Sequence, residues 1–102
     1  MIGKAREIVE GVQRQGADES IRYTLDWSAV GPPSSPVVVV KTAAGADVTA
    51  TVMPVNAPTV SGDVVALSPL TGLSAGTLYR VEVRCVVGGN TLESYFYVQG
   101  EA

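Results

Sequence analysis

Residues 79–98 read Tyr79-Arg80-Val81-Glu82-Val83-Arg84-Cys85-Val86-Val87-Gly88-Gly89-Asn90-Thr91-Leu92-Glu93-Ser94-Tyr95-Phe96-Tyr97-Val98. Apolar and polar side chains alternate through Val87, which is the period of a pleated strand and not of a helix. Tyr79, Val81, Val83, Cys85 and Val87 therefore share one face, and Arg80, Glu82 and Arg84 take the other. Gly88-Gly89-Asn90 tolerates the positive φ of a tight hairpin. The chain reverses there, and Leu92, Ser94, Phe96 and Val98 return on one face with Glu93, Tyr95 and Tyr97 opposite.

Working outward, the rest of the chain keeps the same grammar. Ile21, Tyr23, Leu25 and Trp27 occupy alternate positions of Ile21–Ser28 and predict a half-buried strand. Gly31-Pro32-Pro33-Ser34-Ser35-Pro36 predicts a loop, because proline lacks the ladder donor. Val37–Val40 is β-branched throughout, as in a strand covered on both faces or set against a partner. Thr42–Asp47 supplies a turn, Asp47–Val52 alternates as another strand up to Pro54, and Val60–Asp63 turns into a short strand, Val64–Leu67, that Pro69 stops. With 11 glycines and 6 prolines between Val- and Thr-rich runs, the class predicted is an all-β sandwich of about seven strands. Its expected core is Tyr23, Leu25, Trp27, Val39, Val52, Leu67, Tyr79, Val81, Val83, Phe96 and Val98.

Residues 1–18 read two ways. Ala5, Ile8, Val9 and Val12 have amphipathic helical spacing, but Gly11 weakens a helix by about 1 kcal/mol, and Ile8, Glu10 and Val12 equally suit an extended arm or first strand. The extended reading divides the chain into an arm, 1–18, and a sandwich domain, 19–102.

Length and charge bound the function. A chain of 102 residues fits one domain. A net charge of -3 supplies no field to recruit nucleic acid or an anionic membrane, so neither is an expected partner. The absence of His removes the usual neutral-pH base and the commonest metal ligand. Catalytic residues, metal and cofactors are accordingly expected to be none. Cys85 is alone, which forbids an internal disulfide, and Met1–Gly16 carries Glu7 and Glu10 without a long apolar block, so synthesis in the cytoplasm is expected.

Individual residues are read conservatively. Asp26 beside Trp27 would suit a sugar cleft, yet alternation sends Trp27 inward and Asp26 outward. Asp18 with Glu19, or Asp47 with Asp63, sit at turn-like positions and advertise no paired-carboxylate mechanism. Cys85 lies among valines as a small buried hydrophobe. Arg80 and Arg84 with Glu82 read as a solvated strand face, with cross-strand pairing to Glu93. Tyr95 and Tyr97 are different, since Phe96 and Val98 already supply the core and outward tyrosines are typical of docking surfaces.

Leu73-Ser74-Ala75-Gly76-Thr77-Leu78-Tyr79-Arg80-Val81-Glu82-Val83 resembles the fibronectin type III signature, a Leu before a Gly-Thr turn and a Tyr opening the next strand. The resemblance implies a tyrosine corner, with the Tyr79 hydroxyl bonded to backbone near the preceding turn. Residues from about Glu19 to Glu101, through Tyr23-Thr24-Leu25-Asp26-Trp27-Ser28, Gly76–Val81, Gly88-Gly89-Asn90 and Phe96-Tyr97-Val98, are similar to small immunoglobulin-like proteins of tailed bacteriophages and prophages, of the head-tail or fiber-tail adaptor kind. This implies a non-enzymatic virion protein whose partners are other virion proteins or itself, as a homo-oligomer or on a ring. The expected interface comprises Tyr95, Tyr97, Val38, Val40, Ile8 and Val12, with the Val37–Val40 edge adding a strand to its partner.

Overall fold

The computed structural model describes residues 7–102, with side chains from Val12 onward. Nine strand segments follow one another: β1 (Glu7–Gly16), β2 (Ser20–Ile21), β3 (Thr24–Asp26), β4 (Ser34–Thr42), β5 (Thr59–Ser61), β6 (Val64–Ala66), β7 (Leu70–Thr71), β8 (Leu78–Val87) and β9 (Asn90–Glu101). A single turn of helix, α1 (Thr49–Val52), lies between β4 and β5. The protein is all-β, and no helix among the described residues is long and apolar enough to cross a membrane.

The β8–β9 hairpin is the centre of a four-stranded sheet ordered β1-β9-β8-β4. Its turn closes at Val87↔Asn90, with Gly88 at φ 55° and Gly89 at φ 85°, the paired positive values that match the strand twist. β4 joins β8 antiparallel, and β1 joins β9 in parallel. Residues 7–16 are thus a strand of the sheet, not a projecting arm. Across from it lie the pairs β2-β7 and the three-stranded β3-β6-β5. β5 and β6 form a hairpin around Gly62-Asp63, so Val60 and Ser61, expected in a turn, belong to a strand.

One core joins all three sheets. β8 and β9 contribute Tyr79, Val81, Val83, Cys85, Leu92, Phe96 and Val98, and the opposite side contributes Leu25, Trp27, Val65, Leu67, Leu70 and Leu73. Tyr23 packs against this core at its edge, its ring 5.2 Å from that of Phe96. Gly100 lies where β9 passes the Ser74 backbone, and a Cβ there would collide with the Ser74 carbonyl.

Ser34–Pro36, read as loop, opens β4, and two further expectations are overturned. Val38 and Val40 point into the core and Val39 does not, because Val38 opposes Val83 and Val40 opposes Val81, both inward residues of β8. A run of four valines carries no alternation from which to read that phase. Residues 49–52 form α1 instead of a strand. Asp47 Oδ1 accepts hydrogen bonds from Thr49 N–H (3.0 Å) and the Thr49 hydroxyl (2.7 Å), starting the turn, while Val52 and Met53 turn into the core.

Candidate interaction face

The outward side of the four-stranded sheet is built by register. Lys41, Arg80, Tyr97 and Val12 form one cross-strand row, Val39, Glu82 and Tyr95 the next, and Val37, Arg84 and Glu93 a third. Because every second residue of β8 and β9 is committed to the core, these side chains have nowhere to go but outward. The Tyr95 and Tyr97 rings meet edge to face at 5.6 Å, and the Arg80 guanidinium lies 3.9 Å from the Tyr95 ring centroid, within cation–π range. Val12 adjoins Tyr97 in its row and Val37 lies in the third row on β4, 46% and 42% exposed. Glu82 holds two cations, with Lys41 Nζ at 3.6 Å and Arg80 Nε at 3.0 Å. Arg84 and Glu93 face each other in register, yet among the described residues they form no ion pair.

Beside the tyrosines the turn after β4 leaves a hollow of about 350 Å³, bounded by Lys41, Ala43, Gly45, Leu78, Arg80 and Tyr97. It combines an aromatic wall with charged groups.

Of the residues expected at an interface, Tyr95, Tyr97 and Val12 lie together on this face, the tyrosines half-buried. Val38 and Val40 do not, being buried at 2% and 0% exposure. The side chain of Ile8 lies outside those described. The β4 edge, where strand addition is expected, is partly occupied by the protein itself. Val40 N–H donates to Thr49 Oγ1 (2.9 Å), Val40 O accepts from Val48 N–H (2.9 Å), and Val38 O accepts from Asn56 Nδ2 (2.9 Å).

Gln15 was not legible as a structural residue. On β1 its side chain is 1% exposed, Nε2 donates to Leu70 O (2.6 Å) and Glu19 O (3.1 Å), and Oε1 accepts from the Tyr23 hydroxyl (3.0 Å). It ties the edge of the four-stranded sheet to β7. Lying in the polar run Gln13-Arg14-Gln15-Gly16, it gives no apolar signal.

The remaining candidates are occupied structurally. Asp26 accepts from Ser28 N–H (2.8 Å), which holds its carboxyl below the usual value. Thr49 does the same for Asp47. Groups poised this way act as hydrogen-bonded anions in turns and not as proton donors near neutral pH. Burial pushes the Cys85 thiol up to about 11, opposite to the shift a nucleophile needs. Trp27 is packed inside, away from Asp26. Comparison with protein-family models, curated proteins and solved structures finds no match.

Proposed function

We propose that this chain is a non-catalytic structural protein of a tailed-phage or prophage virion, an immunoglobulin/fibronectin III-like sandwich that docks through the outward side of its four-stranded sheet. The observation that carries docking is the Tyr95–Tyr97 pair, with Arg80 over Tyr95 and exposed Val12 beside Tyr97, on a surface the core does not need. The sandwich reading is supported by the Tyr79 hydroxyl, which accepts a hydrogen bond from Ser74 N–H at 2.8 Å, the geometry of a tyrosine corner. Joining β2 to β3 and β6 to β7 across their short breaks brings the strand number near seven. The virion assignment rests on the resemblance over residues 19–101. It entails synthesis in the host cytoplasm, residence in the particle, and partners that are virion proteins or further copies.

A second reading, a module that recognises a carbohydrate or another protein surface, is favoured by the hollow, where Tyr97 stands beside Lys41, Arg80 and Glu82. Mass spectrometry of purified particles from a host carrying the gene separates the two. The virion reading expects the protein in stoichiometric amount, and a folded Tyr95→Ser/Tyr97→Ser variant excluded from particles. Its absence from particles, together with saturable glycan binding, would establish the second reading instead.

A further inference from the structure

The most constrained charged group on the outward face is Arg80. Its guanidinium is held over the Tyr95 ring at 3.9 Å and its side chain is two-thirds withdrawn from solvent, at 32% exposure. Glu82 stands 3.0 Å from Nε, but the approach lacks hydrogen-bond alignment, and Nε is buried without an acceptor. Among the described residues no other Arg80 nitrogen donates a hydrogen bond either. A planar, stacked fork of unused donors at a hollow is prepared for a planar acceptor with two oxygens.

Charge and shape select the acceptor. Lys41 and Arg80 against Glu82 leave the hollow one positive charge, in a chain whose net charge is -3. One added carboxylate neutralises it, whereas a phosphate dianion would leave an excess negative charge beside Glu82. Leu78 and Tyr97 offer apolar wall to the methylenes of an acidic side chain, and Ala43 and Gly45 keep the mouth open. We propose that this hollow receives a single carboxylate, from an Asp or Glu side chain of a protein partner, with Arg80 as its binding residue. Glu82 acts as an internal competitor that holds Arg80 and Lys41 in place while the site is empty. The proposal deepens the reading of this face as a protein-docking surface and rests on it.

The test is an NMR titration of the full chain at constant ionic strength, following Arg80 Nε–H and the Tyr97 ring. The probes are acetyl-Gly-Glu-Gly-amide, its Gln counterpart and inorganic phosphate. Saturable shifts with the Glu peptide alone are expected, abolished in Arg80→Gln. Glu82→Gln removes the competitor and should tighten binding about two- to fivefold, the scale of a partly exposed ion pair. A merely structural role for Glu82 predicts no such gain. Equal shifts with the Gln peptide, stronger binding of phosphate, or unchanged affinity in a folded Arg80→Gln chain would overturn the proposal. Particle incorporation keeps the two readings apart: an Arg80→Gln chain that enters particles as wild type does removes only the carboxylate site. A wild-type chain that binds the Glu peptide but is missing from particles removes only the virion role.

Discussion

The two outer strands of the four-stranded sheet, β4 and β1, are secured by different means. At β4 the work is done by the residues that follow it in the chain, through Val48 N–H, the Thr49 hydroxyl and the Asn56 amide. At the other side β9 is covered by β1, and two contacts there join opposite ends of the chain, Arg14 to Glu101 at 2.9 Å and Ala17 N–H to Glu101 O at 2.8 Å, while the buried Gln15 clamp ties β1 to Leu70. A short connection makes closure at β4 entropically cheap, whereas β1 must be brought back across nearly the whole sequence. Similar backbone satisfaction thus has different robustness, and β1 is the strand expected to open first.

The largest effect should come from the core on which these edges rest. Phe96 is fully buried under Tyr23 on the β1 side, so Phe96→Ala should cost about 3 to 5 kcal/mol in urea unfolding, against about 2 kcal/mol for Val40→Ala on the β4 side. Equal costs would deny that the β1 side carries the heavier packing. Gln15→Leu strands the Leu70 carbonyl and the Tyr23 hydroxyl, at about 1 to 3 kcal/mol. Hydrogen exchange should quicken along β1 and β9 and leave Val40 protected; uniform quickening would mean that β1 does not open as a unit. Thr49→Val is the reciprocal change, costing about 1 kcal/mol and exposing the Val40 amide without touching β1.

The smallest effect is a pH response confined to the β4 edge. Hydrogen bonds from Thr49 hold the Asp47 carboxyl below its ordinary 3.8, so the folded state binds its proton less readily than the unfolded state. That contribution is complete above pH 3.8 and is lost as pH falls through the lowered folded value. The Thr49 amide resonance should report the transition, and Asp47→Asn should abolish it. Persistence in that variant would assign the response to another acid.

The candidate face was half legible, and the reason is visible in β4 and β9. Tyr95 and Tyr97 could be placed outward because they alternate with Phe96 and Ser94 over a strand long enough to fix its phase. Val37–Val40 offers the same side chain at each position, so its phase was read backwards. The hollow and the Arg80 stack could not be read at all, since they depend on Lys41, Arg80 and Tyr97 being neighbours on three different strands.

Local chemistry therefore determined the β8–β9 hairpin, the outward placement of its charged and aromatic residues, and the burial of Trp27 and Cys85, because each is decided by alternation or by groups a few residues apart. Tertiary structure alone decided that Val38 and Val40 face inward and that Gln15 is a buried clamp, and it helped select the Thr49–Val52 helical turn, which Asp47 starts locally. In each of these the local pattern allows two conformations of similar energy, and the choice falls to distant partners: Val40 for Thr49, Val81 and Val83 for the valines, Leu70 for Gln15. The Gln15 amide finds its partners only when the assembled fold brings Leu70, Glu19 and Tyr23 within its reach.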